Sequence, residues 1–244
     1  MRRRRAFRLP LLQAALAMLL WSLAAATHAE TAATVTEIAG MVAETDAAGR
    51  TRVLAIQSAV ASGSVLRTAA DSHARLKFGD GTDVVLRPDT EFRLDRFRFE
   101  PAKPEDDNFA VRLIKGGFRQ VTGLLAKRNP RAMDIRAAGA TIGIRGTDFA
   151  VRICEDDCGG DAAAAATPAA PAGPASEERS GVYVLVHDGL VSVAQAGADI
   201  LLAKGQAGFA DMNDGPPRTL GAPPPVLRND DLLGRTPARQ GCTP

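Results

Sequence analysis

Short runs of alternating apolar and polar residues are the feature that most restricts how this chain can fold. In the run Ala140–Ile153, apolar residues first occupy even positions and then, after Arg145-Gly146, odd positions. Because side chains on a strand alternate between two faces, the run changes face in its middle. A β-bulge or a corner absorbs the extra residue, and glycine tolerates the backbone conformation needed there. The residues assigned to this structural motif are Gly143, Gly146, Thr147 and Asp148.

Arg145 can have three roles at this predicted bend. It faces away from the apolar Ile144, so it can pair with Asp148 or with an acid on a neighbouring strand, or it can offer its charge to a partner. In the third role the motif glycines would cradle an anion beside Arg145. Phosphate loops lead into a helix N-terminus, whereas the residues after Asp148 continue as a strand. The pattern therefore favours a structural corner.

Similar runs recur along the chain, and no long segment with a helical period follows the first 29 residues. This pattern is typical of an all-β fold. We predict short antiparallel hairpins stacked as a sandwich or a β-solenoid-like domain. Turns are predicted at three glycine dipeptides, which are Asp80-Gly81, Gly116-Gly117 and Asp188-Gly189. Gly116 and Gly117 are also assigned to the structural motif.

The first 29 residues have the pattern of a secretory signal peptide. Five arginines precede or flank the start of the apolar run Leu9–Leu20, and Thr-His-Ala precedes Glu30. A membrane span would need about 20 apolar residues. We therefore expect cleavage near Ala29, by the general or the twin-arginine route, and a periplasmic or secreted mature protein without a membrane span. Removing the five arginines turns the formal charge of +2 into −3, which gives no reason to expect nucleic-acid binding.

The composition divides the chain into five parts. We predict a signal peptide at 1–29, a β domain at 30–158, a flexible Ala/Pro-rich insertion at 159–181, terminal strands at 182–212 and a Pro-rich tail at 213–244. The insertion has too little apolar bulk to offset the entropy lost on ordering, so we expect disorder there. We expect the tail to be disordered as well, and it either wraps the domain or hangs free.

The cysteines suggest a disulfide in a short acidic loop. Cys154 and Cys158 flank Glu155, Asp156 and Asp157, and an exported compartment permits disulfides. Free thiols and a metal site are the alternatives, although zinc would be expected to recruit histidine or further cysteine. Cys242 has no assigned partner. We expect no metal or other cofactor.

Four segments occur in one order and together resemble a known family. They are Ser62–Thr68 (S-G-S-V-L-R-T), Phe78–Leu86 (F-G-D-G-T-D-V-V-L), Ile114–Gly123 (I-K-G-G-F-R-Q-V-T-G) and Gly143–Val151 (G-I-R-G-T-D-F-A-V). The chain over residues 35–153 is similar to FecR-domain proteins. The resemblance implies an exported β-rich domain with no known catalytic residues. The best-known members join a cytoplasmic sigma-regulating segment and a membrane helix to this domain, which contacts an outer-membrane receptor. We expect neither segment here, so a second protein would carry any signal inward.

Exposed basic residues are the candidate contacts for an envelope protein or a wall polymer. A charged stripe, a basic loop and the arginine of the bend supply them, although a merely solvated surface is the alternative. They are Arg93, Arg96, Arg98, Lys127, Arg128, Arg131 and Arg145.

A glycan-acting hydrolase or lyase is the second hypothesis, and a purely structural envelope protein is the third. Asp89, Glu91 and Asp95 could supply paired carboxylates, but they also fit the solvent face of a strand. His73 and His187 have no nearby nucleophile of the expected kind. We predict no catalytic residue.

Overall fold

The computed structural model describes residues 30–155, 180–213 and 215–228, and in these ranges the protein is almost entirely β-structure. The all-β prediction is confirmed. Within these ranges, sixteen strands form one sheet. The strands are β1 (Thr31–Ala39), β2 (Val42–Thr45), β3 (Thr51–Val53), β4 (Ala59–Ala61), β5 (Val65–Thr68), β6 (His73–Phe78), β7 (Asp83–Leu86), β8 (Glu91–Arg98), β9 (Asn108–Lys115), β10 (Gly117–Val121), β11 (Met133–Ala137), β12 (Ala140–Cys154), β13 (Gly181–Gln195), β14 (Ala198–Ala203), β15 (Ala207–Asp211) and β16 (Arg218–Leu220). Two short helices, α1 (Leu124–Arg128) and α2 (Pro225–Arg228), and two 3₁₀ turns, Pro104–Asp106 and Pro130–Ala132, complete the described elements.

The sheet curls so that its two halves face each other across the core. Its main path runs β3-β2-β5-β8-β9-β11-β12-β10-β7-β6-β1-β4. The ring of Phe78 on β6 lies 5.2 Å from that of Phe97 on β8, and Phe118 on β10 lies 5.4 Å from Phe92 on β8. These contacts join strands that are far apart in the path. The apolar residues of each alternating run therefore fill the space between the halves.

The two longest strands, β12 and β13, connect the halves. The first part of β12 pairs with β11 and its last part with β10, while β13 pairs with β12 along both parts. The register shifts between Arg145 and Asp148, and Gly146 has a φ of +57°. The phase change in the sequence thus corresponds to a β-bulge, where the strand bends from one half into the other.

Two of the three predicted glycine turns have a different structure. Asp188-Gly189 lies inside β13, opposite the bulge of β12, so both strands bulge together and β13 continues. Gly116 separates β9, which pairs with β8 and β11, from β10, which pairs with β7 and β12. Since β9 and β10 do not pair, these glycines join the two halves of the sheet. The hairpin at Asp80-Gly81 is confirmed, because β6 and β7 pair directly across it.

The first part of the predicted tail belongs to the fold. β16 pairs with β15, and α2 places Val226 and Leu227 in a second apolar cluster with Tyr183, Leu185 and Phe209. Residues 215–228 therefore pack against the domain, and the prediction of a disordered tail is wrong for this part of it. The predicted signal peptide, nearly all of the insertion and the end of the tail lie outside the described residues. No helix in the described ranges is long and apolar enough to cross a membrane.

Candidate functional site

Three of the four family-like segments meet at one hydrogen-bonded junction. The Oδ2 atom of Asp80 accepts hydrogen bonds from the hydroxyl of Thr82 (2.8 Å) and from the backbone N–H of Leu125 (3.2 Å) at the start of α1. The Thr82 hydroxyl oxygen accepts a hydrogen bond from the Gly123 N–H at 2.9 Å. A Cβ atom on Gly123 would lie 2.4 Å from the Asp80 carbonyl oxygen, so only glycine fits. The junction positions α1 beside the hairpin of β6 and β7.

The same junction holds the bend of β12. The Thr122 hydroxyl oxygen accepts a hydrogen bond from the Thr147 N–H at 2.7 Å. The carboxylate of Asp148 accepts two hydrogen bonds from Arg119 on β10, at 2.9 and 2.8 Å. Asp148 is therefore paired with Arg119 and not with Arg145. Arg145 is exposed and makes no ion pair within the described residues.

The exposed side of β8, β9, β11 and β12 carries a group of arginines that we call the arginine face. Arg93 lies opposite Arg112 on β9, and Arg112 lies opposite Arg136 on β11. Along β8, Arg96 and Arg98 are also exposed, because their side chains alternate with the buried Phe97. The members of the arginine face are Arg93, Arg96, Arg98, Arg112, Arg136 and Arg145.

Aspartates neutralise only part of this charge. Asp95 accepts hydrogen bonds from Nε of Arg93 at 2.7 Å and from Nη2 of Arg112 at 2.9 Å, so one carboxylate serves two guanidinium groups. Asp134 accepts two hydrogen bonds from Arg136, both at 2.9 Å, and they raise the pKa of that arginine. The side chains of Arg93, Arg112 and Arg136 remain 45%, 51% and 61% exposed. Since each guanidinium has five N–H donors, all three can still bind a carboxylate from outside.

Arg128 differs from the other predicted contacts. Its guanidinium donates hydrogen bonds to the fully buried carboxylate of Asp107, which raise the pKa of Arg128, and it lies 4.3 Å from the centre of the Phe99 ring. It also donates to the carbonyl oxygens of Glu100 and Pro101. Arg128 therefore fastens the loop between β8 and β9 to α1, and its predicted contact with a partner stays a prediction. Lys127 and Arg131 are exposed beside it.

The predicted acids are not brought together with the histidines. Glu91 pairs with Arg67 at 2.6 Å and Asp95 with two arginines, while Asp89 lies in a turn with a φ of +52°. His73 lies on β6, where its Nε2 atom is 3.5 Å from Glu37. In the part of the chain that the structure describes, no three His, Cys, Asp or Glu residues are grouped so that they could hold a metal ion.

Cys154 is buried at the end of β12, in the apolar cluster under α2. Cys158 and Cys242 lie outside the described residues, as do Asp156 and Asp157. The pairing of Cys154 with Cys158 therefore stays a prediction.

Sequence reasoning missed Arg112 and Arg136 because they lie on other strands than the predicted stripe. Both occupy exposed positions of alternating runs, which a sequence pattern can identify. Their alignment with Arg93 depends on the pairing register of β8, β9 and β11. That register follows from long-range packing and has no local signal in the sequence.

One family model and several solved structures match parts of this chain. The family model described as "FecR protein" matches residues 64–163. Two solved structures of a candidate anti-sigma factor from Parabacteroides distasonis are 15% and 16% identical to this chain, each with a TM-score of 0.45, and each match covers 65% of this chain and 60% of theirs. A solved "cell surface anchoring domain" is 27% identical with a TM-score of 0.25, and the match covers 25% of this chain and 82% of that one. No curated protein sequence matches.

The matched range includes all of the three segments that form the junction around Asp80 and Thr147. The hydrogen-bonded junction therefore lies within the range that the family model matches. Residues 64–163 are therefore similar to the FecR family, and the resemblance predicted from the sequence is confirmed for this range.

Proposed function

We propose that this protein is a non-catalytic component of envelope signalling, exported by its N-terminal leader, and that it binds another envelope protein through the arginine face. The family match supports the signalling role and the absence of catalysis. The leader pattern of residues 1–29 supports export. The partner would carry an acidic surface, since opposite charges across an interface favour association and raise its rate.

One observation carries the proposal, namely the alignment of Arg93, Arg112 and Arg136 on three adjacent strands. Like charges directly opposite each other destabilise a sheet, and among the described residues only Asp95 and Asp134 pair with these three arginines. The core lies on the other side of these strands and does not require the arginines. A binding role accounts for a charge arrangement that folding does not need.

The experiment is crosslinking of the exported protein in cells, with identification of the envelope proteins captured. The test variant is Arg112→Glu combined with Arg136→Glu. The matched control is Arg50→Glu combined with Lys204→Glu, because these residues are 83% and 73% exposed and each pairs with a single aspartate. We expect the control to retain a crosslinked partner that the test variant loses. A partner retained equally by both variants would show that contact is made elsewhere.

Export is tested separately by fusing residues 1–40 to a reporter enzyme that is active only outside the cytoplasm. We expect activity and removal of the leader near Ala29. An inactive, uncleaved fusion would contradict the proposed location without bearing on the arginine face.

A further inference from the structure

We propose that the row formed by Arg93, Arg112 and Arg136 binds an acidic α-helix of the partner that lies across the strands. The carboxylates of this helix would stand on one side, at positions i, i+3 or i+4, and i+7. This inference rests on the proposed function, since it specifies the form of partner that the same surface accepts. We call these three residues the arginine row.

The spacing of the arginine row carries the argument. Adjacent strands lie about 4.8 Å apart, so the row spans about 10 Å from its first to its third member. On a helix, residues i and i+7 are separated by about 10.5 Å along the axis, with i+3 or i+4 near the midpoint. An extended peptide instead places same-side residues about 6.8 Å apart, so its third carboxylate would lie about 14 Å from the first. The helix matches the spacing of all three arginines, whereas the extended peptide places its second carboxylate about 2 Å and its third about 4 Å too far along the row.

The row has defined ends. Arg93 lies opposite Val65 on β5, and Arg136 lies opposite Thr141 on β12. Both neighbours are uncharged, so a fourth carboxylate in the same line would find no arginine. A helix segment of two turns is therefore the unit that this row can bind.

The guanidinium groups retain donors for such a helix. Arg93 uses Nε in its bond to Asp95, and Arg112 uses Nη2. Arg136 uses Nε and Nη2 in its bonds to Asp134. Each group keeps N–H donors that can bind an incoming carboxylate. Ile114 is exposed on the same side of β9 and offers apolar contact beside the charges.

Synthetic peptides test the geometry directly with the whole mature protein. The stripe peptide is an alanine-rich helix with glutamates at i, i+4 and i+7, and the scrambled peptide has the same composition with glutamates distributed around the helix. Polygalacturonate, with one carboxylate on each ring, serves as the polymer probe. We expect the stripe peptide to bind about tenfold more tightly than the scrambled one at low salt, and to lose affinity as salt is added.

Variants show whether the arginine row is responsible. Arg112→Gln and Arg136→Gln should each remove the preference for the stripe peptide, while Lys204→Gln should keep it. Melting temperatures establish that each variant is folded.

The outcomes separate this inference from the proposed function. Equal affinity for both peptides, weakened equally by Arg112→Gln, would overturn the helix while the arginine face remained a binding surface. Tighter binding of polygalacturonate with the same dependence on Arg112 would replace the helix with a polymer. If neither Arg112→Gln nor Arg136→Gln changed the affinity for the peptides or for polygalacturonate, both proposals would be overturned.

Discussion

The two glycines at the bend differ in what excludes a side chain. At Gly146, with a φ of +57°, a Cβ atom would have only Lys127 near it, at 4.0 Å. At Gly189, with a φ of +87°, it would lie 2.6 Å from the Gly146 carbonyl oxygen. We expect Gly146→Ala to lower the free energy of unfolding by about 1 kcal/mol through backbone strain alone, and Gly189→Ala by about 3 kcal/mol or more.

Denaturant unfolding of the two variants measures this difference. Gly146→Val should lower the free energy of unfolding more than Gly146→Ala does, because a β-branched residue is more strained at positive φ. If Gly146→Ala and Gly189→Ala lowered the free energy of unfolding equally, the contact between residue 189 and the Gly146 carbonyl oxygen would not be what excludes a side chain there.

Gln120 is a polar residue in the core, and the structure shows no hydrogen-bond partner for its side chain among the described residues. Its side chain is fully buried, and in the described residues neither amide atom has a hydrogen-bond partner. An unpaired buried amide costs free energy, so Gln120→Leu should stabilise the protein by about 1–3 kcal/mol. Thermal unfolding checks this value.

Gln195 provides the matched control for Gln120. It is also buried, and its Oε1 atom has no hydrogen-bond partner in the described residues, but its Nε2 atom donates a hydrogen bond of 2.7 Å to the Asp211 carbonyl oxygen. Gln195→Leu should therefore lower the melting temperature. A loss of stability in both variants would indicate that the Gln120 amide is satisfied in solution.

At the scale of elements, the sequence predicted strands far better than their connections. The alternation in Phe92–Arg98 and Met133–Ala137 marks which residues face the core, and the structure has those residues buried. The role of Gly116-Gly117 could not be predicted, since a hairpin and a crossing between halves need the same glycine conformation. The choice between them depends on which strands pair, and pairing is decided by packing across the whole sheet.

The C-terminal segment shows how an element without a strong local signal acquires order. Helix α2 has only four residues, so packing and not helix propensity must stabilise it. Leu227 is fully buried there, and the carbonyl oxygen of Val226 accepts a hydrogen bond from Arg87 at 2.8 Å. Leu227→Ala should lower the free energy of unfolding by about 2–4 kcal/mol.

Limited proteolysis and thermal unfolding check this prediction. Leu201→Ala is the control, because that side chain is 63% exposed on the edge strand β14 and should change stability little. If Leu227→Ala were as neutral as Leu201→Ala, residues 215–228 would not belong to the folded domain in solution.

At the scale of the whole described domain, one part of the outer surface of the sheet is covered and another part is exposed. Residues 215–228 cover part of the outer surface around β13 and β15 with apolar side chains. The outer surface of β8, β9 and β11 instead carries charge and stays exposed. The fold therefore leaves a charged surface available on strands that are held rigidly by the core behind them, which suits a binding role.

A conflict between stability and binding at Arg112 follows from this arrangement. Arg112 lies between Arg93 and Arg136 and shares Asp95 with Arg93. If Arg112 is replaced by a neutral residue, Asp95 still pairs with Arg93, and the repulsion of Arg112 with Arg93 and Arg136 is removed. We expect Arg112→Gln to weaken partner binding while the melting temperature rises by about 1–3 °C at low salt.

Salt dependence distinguishes repulsion from a structural ion pair. The rise in melting temperature caused by Arg112→Gln should become smaller as salt is increased from about 0.02 to about 0.5 M. At high salt, screening already relieves the repulsion between the arginines in the unmodified protein. Asp95→Asn is the opposite variant, because it removes the carboxylate between Arg93 and Arg112 and should lower the melting temperature most at low salt. If Arg112→Gln lowered the melting temperature more than Asp95→Asn did, the arginine would be part of the structural framework, and its exposure would no longer argue for a partner.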